Sequence, residues 1–261
     1  MTGQGFLAAA DGTKLAFART PGRAPTIVFL GGFRSNMTGT KASYLDAWCR
    51  ERGQGFLRFD YAGHGASAGR FEDGTIGRWA TDAIAVIDAL TEDDLVLVGS
   101  SMGGWIMLEV ALSRPGRVAA LVGIAAAPDF TEDLIWDAWP EAKRARLLRD
   151  GVVVEPSTYD QGGYPITRAL IEDGRTRLRL RGNIAFAGPV RLLHGMRDAE
   201  VPWRTSLRLA EALEVDDVRL LLAKDGDHRL SRAPDLALLG AVLGELVGLD
   251  RGQDGAKPLA E

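Results

Sequence analysis

The stretch Leu95-Val96-Leu97-Val98-Gly99-Ser100-Ser101-Met102-Gly103-Gly104-Trp105-Ile106-Met107 decides the fold. It opens on a short, uninterrupted apolar run of the kind a parallel sheet buries on both faces. The run ends in small residues and passes at once into a helical pattern over Met102–Ser113. A G-x-S-x-G string in that context forms a sharp turn whose central serine sits on strained backbone, so the residues two before and two after it must be small. Gly99 and Gly103 meet the demand when Ser101 is the centre. Centring on Ser100 would put Val98 and Met102 at those places, where they clash. Ser101 is therefore the candidate nucleophile.

The same alternation extends outward from the elbow. Upstream, Phe6–Ala10 and Leu15–Ala18 flank the turn signal Asp11-Gly12 and read as a hairpin. Strands are expected over Thr26–Leu30 and Gly55–Asp60, and helices over Lys41–Arg52 and Ile76–Leu90. The second helix has apolar residues at 76, 79, 80, 83, 84, 86, 87 and 90. Downstream, Val118–Ala126, Val190–His194 and Val218–Leu222 read as strands, and Thr205–Leu213 and Pro234–Leu249 as helices. Strands alternating with helices predict an α/β domain with a parallel sheet covered on both sides and its site at the carboxyl ends of the strands.

The rhythm stops after Ala127. No clear strand is legible between Pro128 and Asn183, where helical patterns at Asp133–Arg149 and Pro165–Glu172 flank a Gly/Pro/Tyr-rich link. We expect one domain with a core of residues 5–127 and 184–249, a helical lid insertion of residues 128–183 and a polar tail of residues 250–261. Between residues 140 and 182 the insertion carries nine Lys/Arg (143, 144, 146, 149, 168, 175, 177, 179 and 181) against six acids. It reads either as a solvated face or as a surface that recruits an anionic substrate.

A serine hydroxyl needs a base and a group that orients the base. The chain has three histidines. His64 lies upstream of the serine, and His194 ends an apolar strand; both read as structural. His228, in the polar loop Asp225-Gly226-Asp227-His228, follows the last strand and leaves room for an acid between itself and the serine, the order this elbow uses. Asp198, four residues beyond the Val190–His194 strand, is the expected acid, and Glu200 is the rival. Asp225 and Asp227 lie too close in sequence and read as turn formers. Met102 N–H, at a helix N-terminus, and Phe33 N–H, after Gly31-Gly32, are the expected oxyanion donors. The side chains of Met102, Trp105, Trp136 and Trp139 are expected to line an apolar acyl pocket.

Composition narrows the alternatives. A net charge of −4, from 31 Lys+Arg and 35 Asp+Glu, offers no general attraction for nucleic acid. Cys49 is alone, so an intrachain disulfide is impossible and a reducing, cytoplasmic location is expected. The segment Met1–Gly5 lacks the features of a secretory signal, and no apolar run suits a membrane span. No G-x-G-x-x-G or Walker loop follows the first strand, and the histidines and cysteine show no metal-ligand spacing, so no cofactor or metal is expected.

Taken together, the elbow, the Asp198 turn and the His228 loop resemble the α/β-hydrolase superfamily over nearly the whole chain. Several strings are similar to the branch that includes the mitochondrial palmitoyl-protein thioesterase and acyl-glucuronide esterase. They are Gly32–Ala42, Arg58-Phe59-Asp60-Tyr61, Gly99–Met107, and Arg191–Trp203 followed by Thr205-Ser206. The resemblance implies an eight-stranded, mostly parallel sheet and hydrolysis of a small-molecule ester or thioester through Ser101, Asp198 and His228, with an acyl-enzyme and no cofactor. Two alternatives stay open: a cofactor-free haloperoxidase or lyase on the same three residues, and a non-catalytic ligand-binding member of the fold.

Overall fold

In the computed structural model, which describes residues 3–156 and 162–248, ten strands and seven α-helices are found. Eight of the strands form one sheet in the order β1-β2-β4-β3-β5-β6-β9-β10. They are β1 Gly3–Ala8, β2 Lys14–Thr20, β3 Arg23–Leu30, β4 Gln54–Phe59, β5 Leu95–Ser100, β6 Val118–Ile124, β9 Val190–Gly195 and β10 Val218–Ala223. The β1–β2 and β2–β4 pairs are antiparallel, and every other pair is parallel.

Strand periodicity divides the core in two. On β5, Leu95 and Leu97 face one way, into a cluster with α2 (Ile76–Leu90) and α3 (Met102–Ser113). Val96 and Val98 face the other, into a cluster with α1 (Thr40–Glu51) and α7 (Ala233–Leu246). Because α3 continues from the carboxyl end of β5, the turn between them lies at the middle of the sheet's carboxyl edge. α2 begins on a side-chain cap: the Thr75 hydroxyl accepts the Arg78 N–H at 3.1 Å.

The segment between β6 and β9 departs from the expectation of helices alone. It holds a π-helical turn Thr131–Trp136, α4 Glu141–Asp150, an antiparallel hairpin of β7 Val152–Glu155 and β8 Tyr164–Thr167, and α5 Arg168–Arg175. The helix read over Asp133–Arg149 is broken at Pro140, which cannot continue a hydrogen-bonded turn and instead starts α4. The helix read over Pro165–Glu172 is divided at Thr167, the last residue of β8, whose side chain caps α5 by accepting the Leu170 N–H. The polar tail, residues 250–261, lies outside the described residues. Among the described residues, no helix is long and apolar enough to cross a membrane.

Candidate active site

Sterics build the turn at Ser101. The residue has φ 56° and ψ −121°, a conformation that strains any side chain-bearing residue. A Cβ on Gly99 would meet the Gly103 carbonyl oxygen at 2.4 Å, and one on Gly103 would meet the Leu30 carbonyl oxygen at 2.0 Å. The two glycines are thus what lets β5, α3 and β3 converge, and Ser101 is pushed out above them.

His228 Nε2 lies 3.1 Å from Ser101 Oγ, and His228 Nδ1 lies 2.7 Å from Asp198 Oδ2. An ionised carboxylate only accepts, so Nδ1 carries the proton and Nε2 is left to accept from the serine hydroxyl. Asp198 Oδ1 accepts the backbone N–H groups of Glu200 and Val201 at 2.9 and 2.8 Å. Burial alone would raise the Asp198 carboxyl, but its hydrogen bonds with His194 and His228 outweigh it and hold the group well below the usual carboxylate range. Glu200 Oε2 lies 3.7 Å from His228 Nε2, on the serine's side of the ring rather than the far side, where an orienting acid is needed. Asp227 accepts the N–H groups of Arg229 and Leu230 through Oδ1, and Asp225 pairs with Arg232.

The loop after β3 sits over the serine. A Cβ on Gly32 would lie 3.3 Å from Ser101 Cβ. The Arg34 N–H donates to His64 Nε2 at 3.2 Å, and the Ser35 N–H donates to the Gly32 carbonyl. Phe33 N–H directly precedes these two engaged groups along the chain. Its ring is held edge-on by Phe71, Trp79, Phe130 and Tyr164, with centroids 4.7 to 5.8 Å away. Met102 N–H opens α3 and has no partner within the helix. The loop is fastened further on as well: Asp60 accepts the Met37 N–H at 2.6 Å, and Arg58 donates to the Met37 carbonyl at 2.9 Å.

A cavity of about 340 Å³ opens at Ser101 and His228, lined on its other sides by Phe33, Arg34, Lys41, Tyr164, Glu200 and Arg229 among others. Trp105, Trp136 and Trp139 are not among its lining residues, contrary to the sequence expectation. Trp105 is buried, packs edge-on to Phe130, and donates its indole N–H to the Arg177 carbonyl at 3.1 Å. Trp136 lies under Arg175, and Trp139 under Lys143. Met102 is buried in the core.

The arginines expected to be a basic island are paired. Arg175 binds Glu132, Arg177 binds Asp173 and Glu109, Arg179 binds Glu109, and Arg181 binds Asp133 and Asp129. A larger, open groove of about 470 Å³, with Asp133, Arg181, Arg204 and Arg208 on its walls, shares no residue with the Ser101 cavity.

Sequence reasoning missed four residues of the cavity wall, Arg34, Lys41, Tyr164 and Arg229, and the hold of His64 on the loop through the Arg34 N–H. Lys41 reaches from α1 to the Arg229 carbonyl and, at 3.5 Å, to Ser231 Oγ; burial, with the nearby Arg229 charge, lowers its ammonium to about 8. A lysine at a helix start carries no signal of such a reach. Tyr164 was hidden because β8 was not legible. Among the described residues, no group of three or more His, Cys, Asp or Glu side chains is placed to hold a metal ion.

Comparison with known proteins agrees with this architecture. Residues 27–254 match the profile of the alpha/beta hydrolase family. The chain is 39% identical over 243 residues to the mitochondrial palmitoyl-protein thioesterase ABHD10 of Bos taurus, covering 93% of this chain and 79% of that protein. Among solved structures, a putative hydrolase from Agrobacterium vitis S4 superposes with a TM-score of 0.91 at 41% identity, covering 95% of this chain and 99% of that one. Alpha/beta hydrolase domain-containing protein 10 from mouse gives 0.88 at 37%, with the same coverage. With an eight-stranded sheet in this order, a strained serine between β5 and α3, and these matches over most of its length, the chain belongs to the alpha/beta hydrolase family.

Proposed function

We propose that the protein is a serine hydrolase that cleaves carboxylic esters or thioesters through an acyl-enzyme formed on Ser101. The observation that carries this reading is the unbroken hydrogen-bond chain from Ser101 Oγ through His228 to Asp198, on a serine whose φ is 56°. As Oγ bonds to the acyl carbon, His228 Nε2 takes the hydroxyl proton, and Asp198 steadies the resulting imidazolium. The acyl oxygen becomes an oxyanion between the N–H groups of Phe33 and Met102, each contributing about 3 kcal/mol to lowering the barrier. His228 returns its proton to the departing alcohol or thiol. Water then attacks the acyl-serine with His228 as base, and the acid leaves.

The relatives named palmitoyl-protein thioesterases support thioesters among the substrates. Arg34, Lys41 and Arg229 on the cavity wall, against one acid, Glu200, favour a polar or anionic leaving group over an apolar one. The insertion acts as a lid that reaches the substrate through Tyr164. A reducing compartment such as the cytoplasm suits a chain whose one cysteine, Cys49, is free and buried.

The test is covalent labelling by a fluorophosphonate together with turnover of an aryl ester. Ser101→Ala is expected to lose labelling and at least about 10⁴-fold in kcat. Ser100→Ala should still label. Labelling of Ser101→Ala at the parental rate would refute the assignment.

A further inference from the structure

We propose that His194 is a positioning residue for the triad: its Nε2–H holds the same carboxylate oxygen of Asp198 that receives His228, and so sets how strongly the acid acts on the base. This rests on the triad reading above. His194 is the next-to-last residue of β9 and is wholly buried. Its Nε2 lies 3.1 Å from Asp198 Oδ2 and 3.0 Å from the Val201 carbonyl oxygen. Both are acceptors, so that nitrogen carries a proton. Nδ1 lies 2.7 Å from Ser206 Oγ on α6 (Arg204–Ala212), whose hydroxyl donates to it when the ring is neutral. His64 shows the opposite arrangement, with Nδ1 on the Ala62 carbonyl and Nε2 accepting the Arg34 N–H.

A phenylalanine would fill the same space. The ring instead has both nitrogens engaged, and one engagement ends on the oxygen that serves His228. The Asp198 side chain has no exposed surface, and its two oxygens receive four donors: two backbone N–H groups on Oδ1 and two imidazoles on Oδ2. The backbone donors already fix the plane of the carboxylate. What His194 adds falls on Oδ2 alone, where it takes up part of the negative charge that would otherwise act on the His228 Nδ1–H.

Around this pair stand few other charges. Glu200 lies near His228 Nε2, and Lys41, Arg34, Arg229 and Tyr164 line the same cavity. Near His194, Asp235 on α7 lines the same small recess and is paired with Arg232. With the His194 donor removed, Oδ2 draws the His228 proton more strongly, and the base stays protonated to higher pH.

Two substitutions separate positioning from packing. His194→Gln sets an amide N–H near the place of Nε2 and keeps the second donor on Oδ2. His194→Asn sets its amide near Nδ1, toward Ser206, and leaves Oδ2 with His228 alone. With both variants checked by thermal unfolding, His194→Asn is expected to lose roughly tenfold in kcat at little change in KM, far less than loss of the acid itself. The acid limb of its kcat/KM profile should move up by about half a pH unit, the partial transmission of one charge-assisted hydrogen bond. His194→Gln should restore both to within about twofold of the parent. Equal losses in the two variants, or an acid limb that stays at the parental pH, would overturn the proposal.

A second measurement needs no folded variant at position 194. Nitrogen-15 spectra of the imidazoles in the unaltered protein, assigned with His64→Gln and His228→Ala, should show His194 protonated at Nε2 and bare at Nδ1 at neutral pH. The reverse tautomer would overturn the proposal on its own. Failure of the parent to label with fluorophosphonate would instead remove the triad reading, while the tautomer of His194 would still read its contact with Asp198.

Discussion

The helix α3 and the Arg168–Arg181 stretch meet over Trp105, yet they are held by opposite means. In α3, ten of the twelve residues are buried, and the constraint is steric: Gly99, Gly103 and Gly104 each sit where a methyl group would strike backbone or side-chain atoms at under 3 Å. Across the contact, α5 buries Leu170, Ile171 and Gly174, and the arginines of the Arg168–Arg181 stretch are fastened to carboxylates, several of them far away in sequence. Arg175 reaches back 43 residues to Glu132, and Arg179 reaches back 70 to Glu109. A steric demand is written locally, as an absent side chain. An ion pair is written in two places, and neither place is informative alone.

That contrast is broken or sharpened first at Gly103. Gly103→Ala should cost more than about 4 kcal/mol or abolish soluble expression, since the new methyl would lie on the Leu30 carbonyl. A folded, active Gly103→Ala, seen by circular dichroism and ester turnover, would mean that the elbow is held by something other than close approach.

The next effect is also on the core side. Burial, with the nearby Arg34 charge, lowers His64 from an ordinary 6.5 to about 4, although its bond to the Ala62 carbonyl opposes this. Between those values the unfolded chain binds a proton that the folded one refuses, so stability falls as pH falls through the window, by about 3 kcal/mol in all. In His64→Gln that fall should shrink when unfolding is followed from pH 7 to pH 4. An unchanged slope would show that other groups dominate the acid limit.

On the insertion side, Glu109→Gln should cost about 2 kcal/mol, because a buried carboxylate that meets both Arg177 and Arg179 loses its charge. Hydrogen exchange should quicken over residues 168–181 while α3 stays protected. Uniform quickening would place the two regions in one cooperative unit. Smallest of all is Arg175→Gln. Its guanidinium is already engaged by Glu132 and the Trp136 ring, so the salt dependence of kcat/KM for an anionic ester should match the parent within about twofold. A flattened dependence would return that arginine to substrate recruitment.

These differences also explain what could be read in advance. The strands and helices of the sheet region were legible because periodicity and glycine placement are local signals, as at Leu95–Gly103. The placing of Ser101, Asp198 and His228 within reach of one another followed from their order along such a fold. The insertion was misread at Tyr164–Thr167, where a four-residue strand containing a proline offers too few residues for a period. The pairing of its charges is not legible within residues 140 to 182, because the acids that answer them, Glu109, Asp129, Glu132 and Asp133, stand earlier. Residue type alone suggests a pocket role for Trp105, Trp136 and Trp139, and type does not say which way a ring faces.

The carboxylate of Glu109 gives α3 a double duty. The helix carries Ser101 at its N-cap and, two turns further on, moors the stretch that packs over Trp105. Any swing of that stretch away from the sheet would strand a charge inside the protein, on the very rod that carries Ser101. Opening wide and staying aligned are therefore opposed, and the approach to Ser101 that leaves the rod still is along the cavity lined by Arg34, Lys41, Glu200 and Arg229.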